Sequence, residues 1–122
     1  MRKILLVDDE KEFAMVLGER LKEEGFEVFK AFDGKGALEQ ARKQTPDIIL
    51  LDIILPDMDG NIVARKLRED LNTRGIPIIF LTGLLSREEA RARGTSISGC
   101  VFVPKSAKLK ELFEEIDRMM GK

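Results

Sequence analysis

The sequence predicts an α/β fold, a doubly wound five-stranded parallel sheet with five helices on both faces. Two observations predict it. Short aliphatic runs alternate five times with stretches patterned as amphipathic helices, and runs that are apolar at every position mark strands buried on both faces. Acids also stand where two of these runs end: Ile4 to Val7 leads into Asp8 and Asp9, and Ile48 to Leu51 leads into Asp52. Alternation in units of this length implies right-handed βαβ crossovers. All strands then present their carboxyl ends along one edge.

The strands read as Lys3 to Val7, Glu27 to Ala31, Ile48 to Leu51, Ile76 to Leu81 and Cys100 to Val103. Phe13, Val16, Leu17 and Leu21 recur at helical spacing, and Gly25 follows where a left-handed stop is wanted. Asp33 is placed to cap a second helix carrying Ala37, Leu38 and Ala41 inward and ending before Pro46. A third helix follows Gly60 with Val63, Leu67 and Leu71 one turn apart, closed by Gly75 and Pro77. Ser86 can cap a short, almost wholly polar fourth helix from Arg87 to Arg93. Leu109, Leu112, Phe113, Ile116 and Met120 stripe the last helix.

Composition narrows the function. A chain of 122 residues with 43% hydrophobic content is expected to form one domain, residues 1–122. Lys+Arg 21 against Asp+Glu 22 leaves no bulk electrostatic case for nucleic acid or an anionic membrane. No apolar stretch approaches the ~20 residues of a membrane span, and the start is too short for a signal peptide. The lone Cys100, flanked by Val101, Phe102 and Val103, fits a small buried hydrophobe in a reducing cytoplasm. Histidine is absent, which excludes histidine bases, histidine triads and the usual zinc or haem sites.

Ligands of open parallel sheets bind outside the carboxyl ends of the strands. The residues leaving the strands there are Asp8, Asp9 and Glu10, then Asp52, then Thr82, then Lys105 after Pro104. A nucleotide site would need glycines and hydroxyls after the first strand; acids there favour a hard cation, and Mg²⁺ suits carboxylates, water and a carbonyl. Open metal positions suit phosphate oxygens, to which Thr82 could donate and whose charge Lys105 could neutralise. Taken singly, Asp8 or Asp9 fits a helix cap, Thr82 a turn and Lys105 a solvated surface. Their joint placement on one edge overrides those readings. Asp57 and Asp59 are read as turn formers.

Val7-Asp8-Asp9-Glu10, Leu51-Asp52 through Asp59-Gly60, Leu81-Thr82-Gly83 and Phe102-Val103-Pro104-Lys105 together resemble the receiver domain of two-component response regulators. The resemblance covers essentially the whole chain and implies a flavodoxin-like strand order of 2-1-3-4-5. It makes Asp52 the phosphoacceptor, phosphorylated from a phosphohistidine on a histidine kinase or phosphotransfer protein. Asp9, Asp52 and the backbone carbonyl of Ile54 would hold Mg²⁺, with Asp8 acting through its water shell. Lys105 would contact the phosphoryl group, and Thr82 and Phe102 would form the switch. A downstream effector protein would read the face made by the fourth helix, fifth strand and fifth helix, with Arg87, Arg91 and Arg93 close by.

The implied protein is a cytoplasmic monomer with dimerisation on phosphorylation open, a phosphoacceptor switch that promotes its own phosphorylation and dephosphorylation rather than an enzyme on external substrates. No attached effector domain, nucleic acid or membrane is implied. Three departures stand out. Ser106 replaces the family's usual proline after the lysine, leaving the isomer of the Lys105–Ser106 bond open. Phe102 replaces the commoner tyrosine, and Ile54 and Leu84 are apolar where many relatives are polar, which would hinder water and lengthen the phosphoryl lifetime. A Mg²⁺-dependent phosphohydrolase is the competing class; Ile54 stands where its second Asp is expected. A passive receiver-like module would not need the intact set of acids, threonine and lysine.

Overall fold

A computed structural model describes residues 2–83 and 101–121. The chain runs β1 (Lys3–Val7), α1 (Lys11–Glu23), β2 (Glu27–Ala31), α2 (Gly34–Gln44), β3 (Ile48–Asp52), α3 (Gly60–Glu69), β4 (Ile78–Thr82), β5 (Val101–Pro104) and α4 (Leu109–Met119). The strands form one sheet in the order β2-β1-β3-β4-β5, parallel at every pairing. The flavodoxin-like order is therefore present. The helix count is not as expected: four helices, not five, flank the sheet among the described residues. The expected helix from Arg87 to Arg93 falls outside the described residues, and its sequence offers one cap and no apolar stripe.

Strand residues point alternately to the two sides of the sheet, and each side has its own core. Leu5, Val7, Ile49, Leu51, Ile78 and Phe80 pack with Ala37 and Ala41 of α2 and Val63, Ala64 and Leu67 of α3. Ile4, Leu6, Ile48, Leu50, Ile79, Leu81 and Val103 pack with Ala14, Leu17 and Leu21 of α1 and Leu112 and Ile116 of α4. β1 and β3, covered on both faces, have Ile4 to Val7 and Ile48 to Leu51 wholly buried. Each such side chain contributes roughly 1.5–3 kcal/mol relative to exposure.

Local chemistry sets the helix ends. Asp33 accepts from the Gly36 amide at 2.6 Å as the cap of α2, and Gly25 takes the left-handed φ of 96° after α1. α3 stops earlier than its stripe suggests, and Leu71 is 77% exposed. Asp70 explains this: its carboxylate accepts from the Asn72 amide at 2.9 Å and from Arg42 Nε at 2.7 Å. Those bonds satisfy an extended turn and compete with another helical residue. No described peptide bond is cis, so Lys105–Ser106 is trans.

Gly60 is where the chain after β3 crosses back over the strand end. A Cβ there would lie 2.4 Å from the Asp52 carbonyl oxygen and 2.8 Å from Ile53 Cα, whereas one at Gly75 would meet nothing within 4 Å. Gly60→Ala is expected to lower unfolding free energy in urea titrations by about 1–3 kcal/mol, and Gly75→Ala to change it by less than about 0.5 kcal/mol. Equal effects at the two positions would contradict this account of the crossing.

Candidate functional site

The register of the sheet assembles the site. β1 and β3 are neighbours paired through Val7 and Leu51, so the residues that follow, Asp8 and Asp52, leave the sheet side by side. β4 and β5 pair through Thr82 and Pro104, which brings Lys105 to the same edge. Asp8 is fully buried and Asp52 is 7% exposed. Asp8, Glu10 and Asp52 each offer a carboxylate oxygen within 4.8 Å of the other two.

Lys105 sits among these acids. Its ammonium lies 2.8 Å from Asp8 Oδ2, 2.5 Å from Glu10 Oε1 and 3.3 Å from Asp52 Oδ2. Nζ also stands 4.7 Å over the centre of the Phe13 ring, a favourable place for a cation. Burial works to lower the lysine pKa, but hydrogen bonds to Asp8 and Glu10 and the charges of Asp52 and Asp8 outweigh it, leaving the pKa above its ordinary value. Asp52 is also raised, first by burial and further by the Asp8 charge, with Lys105 only partly offsetting them. The two directions are compatible because the ammonium faces three carboxylates while Asp52 shares that one ammonium with two other acids.

Asp9, Glu10, Phe13, Asp52, Ile54, Gly83 and Lys105 line a cleft of about 460 Å³ above this cluster. Asp9 is exposed and lines the cleft, but the mutually close carboxylates are those of Asp8, Glu10 and Asp52. Ile54, half exposed, donates its amide to Asp52 Oδ1 at 3.3 Å. Thr82 ends β4. Phe102 stacks on Phe80 with ring centroids 4.9 Å apart, set back from the cleft on the α2 and α3 side. Leu84, Arg87, Arg91, Arg93 and Cys100 lie outside the described residues.

Two contributors were not assigned from sequence. In the sequence, Glu10 is one exit residue among several and Phe13 one member of a core stripe. Phe13 does pack against the α1 core, yet its face also meets the lysine. Its position three residues beyond Glu10, on the first turn of α1, was the available signal.

Residues 4–117 match the family model of the response regulator receiver domain. The chain belongs to that family, whose members are phosphoacceptor switches of phosphorelay signal transduction. It is 40% identical over 114 residues to response regulator PleD of Caulobacter vibrioides, a match that takes in 93% of this chain and 25% of PleD. The chain thus spans about a quarter of that relative's length. Chemotaxis protein CheY4 of Vibrio cholerae superposes with a TM-score of 0.86 at 28% identity, covering 98% of both chains. The receiver domain of HemR from Leptospira biflexa gives 0.84 at 30% identity, covering 100% of this chain and 96% of that one. Among the described residues no helix is long and apolar enough to cross a membrane.

The raised Asp52 pKa has a definite consequence for stability. The cost of holding Asp52 charged is absent below the ordinary value of 3.8, grows as pH rises through the folded pKa, and is constant above it. In metal-free buffer, Asp52→Asn is expected to melt above the parent at neutral pH, with Asp8 and Glu10 still holding Lys105. The gain should vanish below about pH 3.8. Melting curves across pH check this, and a variant less stable than the parent at neutral pH contradicts it.

Proposed function

We propose that the whole chain, 1–122, acts as one receiver domain in which Asp52 accepts a phosphoryl group from a phosphohistidine on a partner histidine kinase or phosphotransfer protein. The observation that carries this reading is the Lys105 ammonium, 3.3 Å from Asp52 Oδ2, beside an open cleft. A carboxylate oxygen of Asp52 forms the new O–P bond as the donor's N–P bond breaks. The imidazole nitrogen leaves with the bonding pair and gains a proton from water. Lys105 balances charge on the transferring oxygens, and Thr82, at the end of β4, joins it as the switch hydroxyl.

The donor set fits a hard divalent cation. Three carboxylates against one ammonium leave two uncompensated negative charges in a partly buried site, and Asp9 at the cleft adds a fourth acid within its lining. Mg²⁺ is the ion proposed, held by Asp9, Asp52 and the Ile54 carbonyl, with Asp8 acting through its water shell and Glu10 at hand. When bound, it supplies charge stabilisation to the phosphoryl oxygens. Phosphorylation would draw Lys105 away from Glu10 and change the surface near β5 and α4, where Phe102 stacks on the core. An effector protein reading that surface, in the cytoplasm, completes the proposal.

Incubation with acetyl phosphate and Mg²⁺ is expected to add one phosphoryl group to the intact protein and none to Asp52→Asn, as read by mass. An adduct that survives in Asp52→Asn would assign the acceptor elsewhere, and rapid turnover of small phosphate esters would favour the phosphohydrolase. Ile54 lies half exposed at the cleft, where its apolar side chain would hinder water near Asp52. Ile54→Asn is therefore expected to hasten loss of the phosphoryl group; an unchanged decay rate would remove the shielding role.

A further inference from the structure

Asp57 has the sequence setting of a turn former, yet it makes a long-range contact. Its Oδ1 accepts from the Gly34 amide at 2.7 Å and its Oδ2 from the Lys35 amide at 3.0 Å. Both donors are free amides of the first turn of α2, a helix already capped by its own Asp33. The two amides hold the Asp57 carboxyl below the ordinary value although the side chain is exposed. Met58 packs into the space over Gly34, where a Cβ would lie 2.3 Å from its Cγ. The tip of the β3–α3 loop is therefore fastened to another element.

The neck of the same loop is closed by the Gly60 amide on the Ile53 carbonyl at 2.6 Å and by an antiparallel bridge between Ile54 and Asp59. From that neck, Ile54 donates its amide to Asp52 Oδ1. Fixed tip, braced neck and Asp52 carboxylate form one continuous chain of contacts. We infer that Asp57 is a positioning residue for the phosphoacceptor: by anchoring the loop to the first turn of α2 it holds the Ile54 amide against Asp52. The phosphoacceptor role rests on the function proposed above; the anchoring does not. Coupling of this kind is reciprocal, so whatever orders the loop at Asp52 also protects the Gly34 and Lys35 amides.

Asp33 provides the control. It caps the same helix through Gly36, so Asp33→Ala removes a cap of α2 without touching the β3–α3 loop. Hydrogen exchange of assigned amides in the metal-free protein should show faster exchange at Ile54 and Gly60 in Asp57→Ala but not in Asp33→Ala, with Asp57→Asn intermediate. Phosphorylation by acetyl phosphate in Mg²⁺ should slow about tenfold in Asp57→Ala, the low end of what losing a supporting partner costs, and stay within about twofold in Asp33→Ala. Mg²⁺ added to the parent should slow exchange at Gly34 and Lys35, and that effect should disappear in Asp57→Ala.

Equal exchange and rate effects in the two alanine variants would reduce Asp57 to a helix cap and overturn the inference. So would unchanged exchange at Ile54 in Asp57→Ala. If the parent accepts no phosphoryl group, the proposed function fails, while the exchange comparison still decides whether Asp57 holds the Ile54 amide.

Discussion

The ammonium of Lys105 among three carboxylates is the interaction on which the rest of this structure depends. Asp8 is fully buried and Asp52 nearly so, and two like charges about 5 Å apart repel by roughly 3 kcal/mol at an effective dielectric near 20. Nothing within β1 or β3 relieves that repulsion. The cation arrives from the far end of β5, and its bond to Glu10 spans 95 residues of sequence. The order β2-β1-β3-β4-β5 is what makes the meeting possible, because it places the exits of β1 and β3 side by side and β5 within a lysine's reach. Sheet topology and site electrostatics thus constrain each other.

Rigidity around Asp52 comes from the backbone more than from side chains. Gly60 lets the returning chain pass within contact of the strand end, where any Cβ would strike the Asp52 carbonyl. The same crossing closes the loop neck and aims the Ile54 amide at the carboxylate. One amide donor and one ammonium fix the Asp52 side chain from two sides, which is the preorganisation that phosphoryl transfer draws on.

How legible each part was in the sequence follows from the range of the interaction behind it. Strands buried on both faces announce themselves by uninterrupted aliphatic runs, so β1 has the expected bounds and β3 runs one residue longer; β2, an edge strand of mixed composition, also has the expected bounds, and β4 and β5 differ by no more than two residues at either end. The meeting of Asp8, Asp52 and Lys105 was legible because strand exits in a parallel sheet share an edge. Glu10 and Phe13 were not assigned, since a glutamate just before a helix and a phenylalanine in its first turn look alike whether or not a lysine arrives from the end of β5. Leu71 fitted the apolar stripe of α3 but lies exposed, because Asp70 and Arg42 make a tertiary contact that local periodicity does not contain. Asp57 looked like any turn aspartate, and its partners stand 23 and 22 residues upstream.

The charge arrangement also bears on why this site suits a switch rather than a turnover enzyme. Lys105 holds Glu10, Asp8 and Asp52 at once, so a phosphoryl group on Asp52 competes for an ammonium already engaged. Under the proposed function, the new anion gains that ammonium only as Glu10, the exposed member of the set, gives it up to solvent. Such an exchange would be confined to side chains, since Lys105 is joined to the sheet through Pro104 and the buried Val103. Under the same proposal, two negative charges would remain uncompensated before transfer, so a divalent cation would be needed for a phosphate dianion to be accepted beside Asp8. The repulsion built into the site would then tie its response to both metal and phosphate.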